Sequence, residues 1–381
     1  MASDVAELAR RLIEIESINP DLVPDGSGEA GIAKFVASWL EEAGLDVEIV
    51  EPVPGRPSVV GVARGTGGGQ SLMLNAHLDT VGAGGMKEPF SAALRDGRIY
   101  GRGAYDMKGA LAAIMVAAER AQRLGLPGDL VVAAVADEEV ASLGTAAVIE
   151  RFRPDSAIVT ESTELQLCLA HRGFAWIEVV VSGVAAHGSR PELGVDAIAH
   201  AGRILTGIGE LGERLRTGRS HPLAGTGSVH ASSIEGGGEL STYPDRCAIK
   251  LERRTIPGEN GQTAIAEVEA LIAHARADDA RLSAGVRLLL ERTPSELSPQ
   301  HEVALAVATA AREVVGGHAE PIGVPYWMDM ALLIAAGIPT VAFGPSGAGA
   351  HADVEWVDVT SLESCVDVYV RASEALCRRA G

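Results

Sequence analysis

The residue types able to do metal chemistry in this chain come in short clusters that lie far apart along it. They are His77-Leu78-Asp79, the acidic triplet Asp137-Glu138-Glu139, Glu161, and His351 within Gly347-Ala348-Gly349-Ala350-His351-Ala352-Asp353-Val354-Glu355. A fifth, Asp106, sits in the glycine-bounded stretch Gly101-Arg102-Gly103-Ala104-Tyr105-Asp106-Met107-Lys108-Gly109. Taken singly, each has a plain structural explanation. A His-x-Asp triplet arises by chance, an acidic triplet is commonly a solvated helix start where carboxylates complement the dipole, and Asp106 could cap a helix. Together they suit the binding of two divalent cations by oxygen and imidazole, with a bridging carboxylate, further ligands for each ion and room for a water between them. Cys168, Cys247, Cys365 and Cys377 show no CxxC or knuckle spacing, so a thiolate site is excluded and the cysteines read as reduced and structural. Mixed His and carboxylate ligation favours Zn²⁺, with Mn²⁺ or Co²⁺ as alternatives.

The surrounding pattern explains how such scattered motifs could meet. Apolar runs suited to buried strands cover 71–76, 130–136, 157–160 and 339–343, and each is followed by one of the motifs: His77, Asp137, Glu161 and His351 respectively. In open α/β sheets that carboxyl edge is where ligands bind. Asp106 precedes an Ala-rich helix over 108–124. Two helices are expected in the first 45 residues, one capped by Asp4 and a second after Ser27 that ends at Gly44, and a hairpin over 92–100 turns at Asp96-Gly97. Alternating strands and helices predict an α/β fold with a mostly parallel sheet flanked by helices. Between 174 and 292 the order becomes βαββαβ, the ferredoxin-like α+β unit, which fits a separate inserted domain. The expected organisation is therefore 1–173 and 293–381 as one catalytic domain, interrupted by 174–292. The Gly65-Thr66-Gly67-Gly68-Gly69 cluster does not match GxGxxG and reads as a turn.

Composition sets the outer bounds. At 381 residues, 47% hydrophobic and 22% charged, the chain has material for two globular domains. Its net charge of −19 leaves no basic footprint for nucleic acid or an anionic membrane surface. No apolar run approaches a membrane span, and the N-terminal stretch reads as an amphipathic helix start rather than a signal peptide. A cytoplasmic protein is the expectation.

In order and spacing, His77-Leu78-Asp79, Gly103-Ala104-Tyr105-Asp106-Met107-Lys108-Gly109, Asp137-Glu138-Glu139, Glu161 and His351 resemble the dinuclear-zinc aminoacylase/carboxypeptidase family. That family includes acetylornithine deacetylase and succinyl-diaminopimelate desuccinylase, and the resemblance spans essentially the whole chain. It implies that Asp106 bridges two ions, with His77 and Glu161 completing one site and Glu139 and His351 the other. Glu138 would be the general base acting on a water between the ions, and Asp79 would orient His77. A cis peptide is implied between Asp106 and Met107. His187, in Gly183-Val184-Ala185-Ala186-His187, would act across a homodimer formed through 174–292 to stabilise the developing oxyanion. Arg254 resembles the family's substrate-carboxylate arginine, and Arg172 could do similar work at the hinge. Ser241-Thr242-Tyr243-Pro244 stands where many relatives carry Asn-Val-Val-Pro, so an amide that helps bind substrate is missing. Tyr326-Trp327-Met328-Asp329 adds bulk and suggests room for an apolar group.

The implied function is hydrolysis of the amide bond of a small N-acyl amino acid, with dipeptidase or carboxypeptidase action as the alternative. A serine hydrolase using Ser346 with His351 is disfavoured because Ala348 stands where GxSxG needs glycine. A non-catalytic binding protein on the same fold would require a lost ligand or base, and none is lost.

Overall fold

The computed structural model describes residues 3–316 and 320–381. In chain order the principal elements begin with α1 (Asp4–Glu14), α2 (Ala30–Glu42), β1 (Asp46–Val50), β2 (Ser58–Ala63) and β3 (Leu72–His77). There follow α3 (Gly109–Leu124), β4 (Leu130–Val135), α4 (Leu143–Arg151) and β5 (Ser156–Val159). Next come β6 (Gly173–Ser182), α5 (Ala197–Thr217), β7 (Ser228–Gly236), β8 (Arg246–Thr255), α6 (Gly261–Asp278) and β9 (Ser283–Arg292). The chain closes with α7 (Glu302–Val315), α8 (Met330–Ala335), β10 (Thr340–Ala342) and α9 (Val359–Cys377).

Two compact units result. The first takes in residues up to Leu169, Leu297–Ile322 and Met328–Gly381, and the second Ala170–Glu296 with Gly323–Trp327. The central sheet of the first unit runs β1-β2-β4-β3-β5-β10. β4, β3, β5 and β10 are mutually parallel, whereas β1 and β2 pair antiparallel at the edge. Every residue of β2, β3, β4 and β5 is buried, as expected of strands covered on both faces. α3 packs against α1 and α9 and buries most of its length. It ends at Gly125, whose left-handed φ of 56° closes the last turn. The hairpin forms as expected: Arg95 pairs with Arg98, and Asp96 and Gly97 have φ of 49° and 75°, the twist a two-residue turn needs. One expectation is corrected. Ser3 occupies the N-cap of α1, and Asp4 is its first residue, where its carboxylate complements the dipole instead of capping.

The second unit holds an antiparallel sheet in the order β7-β8-β6-β9. With β6 as the first strand of the unit this is the order 2-3-1-4, the ferredoxin-like arrangement. Alternate residues Ala175, Ile177, Val179 and Val181 of β6 enter a core with Ile204 and Ile208 of α5 and Val268 and Ile272 of α6. Both helices start on side-chain caps: Asp196 accepts from the Ala199 N–H at 2.9 Å, and Asn260 and Thr263 form a reciprocal box. The four cysteines are buried. Among the described residues no helix is long and apolar enough to cross a membrane.

Leu74, fully buried in the middle of β3, should be costly to truncate: Leu74→Ala is expected to lose about 2–5 kcal/mol of stability in urea unfolding. Leu94 of the hairpin is 42% exposed, and Leu94→Ala should change stability by no more than about 0.5 kcal/mol. Equal effects would contradict this division between core and surface.

Candidate active site

Strand ends deliver the first ligands. β4, β3 and β5 are adjacent and parallel, so His77 at the end of β3, Asp137–Glu139 just past β4 and Glu161 just past β5 emerge on the same edge. Asp106 arrives from a loop that enters through left-handed Gly103 and passes through a cis peptide between Asp106 and Met107 before α3 begins. His351 comes from the loop beyond β10 and itself has a φ of 62°.

Asp106 is the centre of the cluster. Its Oδ1 lies 3.0 Å from Nε2 of His77 and its Oδ2 lies 3.3 Å from Nε2 of His351. Glu161 stands beside the first imidazole, at 3.6 Å, and Glu139 beside the second, at 3.1 Å. The two lobes are therefore His77–Glu161 and His351–Glu139, with one oxygen of Asp106 turned to each. Donor atoms of His77, Asp106 and Glu139 all lie within 4.8 Å of one another, as do those of His77, Glu138 and Glu161. Glu139 Oε1 is buried with no hydrogen-bond partner among the described residues.

The electrostatics follow from that crowding. Burial and the neighbouring Asp106 push the Glu161 carboxyl up to about 8. Burial, then Asp329 and Glu161, hold Glu138 well above the usual carboxyl range, and burial with Asp106 raises Glu139. Burial works against a charged His77, but the Asp106 hydrogen bond and Glu161 outweigh it and raise its proton affinity. Hydrogen bonds to Asp106 and Glu139 carry His351 up to about 10. Burial opposes the charge of Asp106 too, yet the two imidazoles hold it below the ordinary aspartate value. So much buried carboxylate next to imidazole, with an oxygen left unpartnered, fits a pair of divalent cations bridged by Asp106. His77 and Glu161 would hold one ion, and Glu139 and His351 the other.

Asp79 reaches the site in a way its spacing does not reveal. His77 Nδ1 bonds the backbone carbonyl of Asp79 at 2.9 Å, while the Asp79 carboxylate is 3.7 Å away. That carboxylate instead accepts the backbone N–H groups of Glu138 at 3.1 Å and Glu139 at 3.2 Å. Asp79 thus orients His77 through its main chain and Glu138 and Glu139 through its side chain.

The residues that hold the Asp106 loop were invisible as motifs. Glu355 Oε1 accepts the N–H groups of Tyr105 and Asp106 at 2.9 and 3.1 Å, and Oε2 accepts Gly103 N–H and Arg102 Nη1 at 3.0 and 2.6 Å. Arg102 also donates to the carbonyl of Ala352, beside His351. One buried ion pair therefore fixes both Asp106 and the His351 loop. Glu355 closes the His351 motif, which was its one trace in the sequence. Of the segment 326–329, Met328 and Asp329 are buried, and Asp329 accepts the Thr145 hydroxyl.

The remaining expected residues belong to the second unit. His187 is exposed, its Nδ1 2.8 Å from the Ser189 hydroxyl. Arg254, on β8, bonds Glu252 at 2.7 Å and lies over the Phe174 ring at 5.0 Å. Arg172 donates to the Ala224 carbonyl at 2.7 Å.

Known proteins share this arrangement of sequence and fold. The model of peptidase family M20/M25/M40 matches residues 73–375. An acetylornithine deacetylase of Proteus mirabilis is 31% identical, over 97% of this chain and 96% of the relative. An N-formyl-4-amino-5-aminomethyl-2-methylpyrimidine deformylase of Bacillus subtilis is 28% identical, over 99% and 95%. Among solved structures, the YXEP protein of Bacillus subtilis, a dinuclear metal-binding peptidase, superposes with a TM-score of 0.76 at 17% identity, covering 97% of this chain and 96% of that one.

Two predictions follow from the cluster. Glu138, Glu139, Glu161, His77 and His351 all bind protons more tightly folded than unfolded. The cation-free native state thus carries excess protons, and stability must fall as pH rises, from the ordinary glutamate value of 4.5 through about 8 for Glu161 and from the ordinary histidine value of 6.5 through about 10 for His351. Chelated protein should show a Tm that declines from about pH 5 to about pH 9, and added Zn²⁺ should raise Tm more at the alkaline end. A rising Tm, or a pH-independent gain from the ion, would contradict this. Glu355→Gln should cost about 3–5 kcal/mol by stranding Arg102, and weaken Zn²⁺ binding about 10–100-fold in competition titrations. Unchanged affinity would remove Glu355 from the support of the site.

Proposed function

The chain belongs to peptidase family M20/M25/M40, and from that membership we propose that this metal-dependent hydrolase removes a small acyl group from the nitrogen of an amino acid. The observation that carries the reading is the two-lobed cluster centred on Asp106 with Glu138 beside it. The named activities of the deacetylase and the deformylase relatives both release an acyl group from nitrogen, which supports the same chemistry here. Zn²⁺ is the proposed metal, on the strength of the imidazole and carboxylate donors.

When bound, the ions supply Lewis acidity that polarises the amide carbonyl and lowers the pKa of a water to about 7. Glu138 does the proton work. Its carboxylate accepts a proton from the attacking water, and the same oxygen returns it to the departing amine nitrogen as the C–N bond breaks. A buried carboxyl whose proton affinity is raised by Asp329 and Glu161 is suited to holding that proton between the two transfers. Asp79, through the N–H groups of Glu138 and Glu139, keeps base and ligand in fixed relation. His187, supplied by a partner subunit, is proposed to donate to the developing oxyanion, and Arg254, with Arg172, to grip the substrate carboxylate.

A homodimer through the second unit is part of this proposal. β7 ends the sheet and is exposed along nearly its whole length, an unpaired edge that a second copy could cover. A cytoplasmic location is proposed with it. The alternative is dipeptidase or carboxypeptidase action at the same site, in keeping with the peptidase family to which the chain belongs.

A panel of N-acetyl, N-formyl and N-succinyl amino acids and dipeptides, assayed with Zn²⁺, Co²⁺ or Mn²⁺ and after chelation, tests the reading. Turnover should be lost on chelation, and Glu138→Ala should lower kcat about 10²–10⁴-fold with its metal retained. Chelator-resistant turnover, or a Glu138→Ala enzyme within about 10-fold of the parent, would overturn it.

A further inference from the structure

The turn that carries Glu138 and Glu139 is held in an unfavourable shape. Asp137 and Ser142, both non-glycine residues, have φ of 68° and 55°, and the carbonyl of Asp137 accepts the N–H groups of Ala141 and Ser142. Such conformations persist only where the surroundings over-determine them. Here the anchor is the Asp137 side chain, which is fully buried, so its fixation requires a buried partner.

That partner is Arg56, 6% exposed, just before β2. Its guanidinium bonds three carboxylates. Nε and Nη2 grip Glu29, at the start of α2, at 2.7 and 2.8 Å, while Nη2 also reaches Asp137 Oδ1 at 2.7 Å. Nη1 donates to the more exposed Asp21 at 2.5 Å. The same Oδ1 of Asp137 accepts Asn19 Nδ2 at 3.0 Å, and that amide nitrogen donates onward to Asp79 Oδ2 at 2.8 Å. Asp79 then accepts the N–H groups of Glu138 and Glu139. A continuous buried chain of charge-assisted bonds thus runs from α2 to the turn that presents Glu138 and Glu139.

We propose that Arg56 is a positioning residue for the general base, acting through Asp137 and the Asn19–Asp79 bridge, while its grip on Glu29 is a separate anchor for α2. The inference rests on the role proposed for Glu138. The two arms can be cut independently. Asp137→Asn removes the charge at Asp137 but keeps its shape and tolerates the positive φ, Glu29→Gln weakens only the anchor, and Arg56→Gln cuts both.

The first readout needs no turnover: hydrogen–deuterium exchange of the Glu138 and Glu139 amides in the Zn²⁺-loaded protein. Exchange should rise about 10-fold or more in Arg56→Gln and Asp137→Asn, and stay within about 2-fold of the parent in Glu29→Gln. The second is kinetic. Arg56→Gln and Asp137→Asn should each lower kcat about 10-fold with KM within about 2-fold and metal content unchanged, and the double variant should lose no more than Arg56→Gln alone. Unaltered exchange in Arg56→Gln and Asp137→Asn, or kcat losses that multiply in the double variant, would overturn the proposal. Should the parent hydrolyse nothing in the amide panel, the functional reading fails, while the exchange data still decide whether Arg56 holds the turn.

Discussion

Mutual repulsion among crowded, partly buried carboxylates is the constraint around which this molecule is arranged. Asp106, Glu138, Glu139 and Glu161 converge on one edge of a sheet whose strands are buried on both faces, with His77 and His351 standing among them as countercharge. Water screens charges so placed only weakly, so each carboxyl gains by taking a proton, pairing with imidazole or receiving a cation. Protons and imidazoles meet part of that demand; the unpartnered Glu139 oxygen marks what they leave unmet. A divalent ion in each lobe would satisfy it, and Glu138, beside the cluster with its proton affinity raised, is the carboxyl proposed to move protons.

Holding such a cluster together requires rigid supports, and the fold supplies them in layers. Parallel β3, β4 and β5 fix where His77, Glu138, Glu139 and Glu161 emerge. The Arg102–Glu355 pair fixes the loop that brings in Asp106, with one further bond to the His351 loop. On the opposite side Asp79 and Asn19 join the turn of Glu138 and Glu139 to the Arg56 pair. Each side-chain support, Arg102, Glu355, Asp79, Asn19 and Arg56, is itself a buried charged or polar group with a defined partner, since an unpaired one would cost more than it secured.

That division explains how much of the molecule could be read in advance. Four of the metal-ligand candidates, His77, Glu139, Glu161 and His351, could be nominated because each follows an apolar run of strand length, Asp106 stood out by its flanking glycines, and the ferredoxin-like unit was legible because strand and helix periodicities alternate over 174–292 in the right order. Glu355, Arg56 and Asn19 were not, because a single charged or amide residue carries no periodicity and its partners lie 27 to more than 200 positions away. Asp79 was found for its spacing from His77, yet spacing could not tell that its carboxylate turns to Glu138 and Glu139 while its carbonyl serves the imidazole. The cap of α1 fell one residue early for a similar reason: Ser3 and Asp4 are both cap-forming types, and only the backbone distinguishes them. The short return of Gly323–Trp327 to the second unit had no compositional mark at all.

The claim that Asp106 bridges paired cations is the one on which the rest stands. It is tested most directly by counting ions: equilibrium dialysis against Zn²⁺ followed by elemental analysis, for the parent and for Asp106→Asn. A bridged pair predicts two tightly held ions per chain in the parent and the weakening of both together in the variant, because Asp106 turns one carboxylate oxygen to each lobe. A parent that binds no ion, or an Asp106→Asn protein that retains both with unchanged affinity, would contradict it.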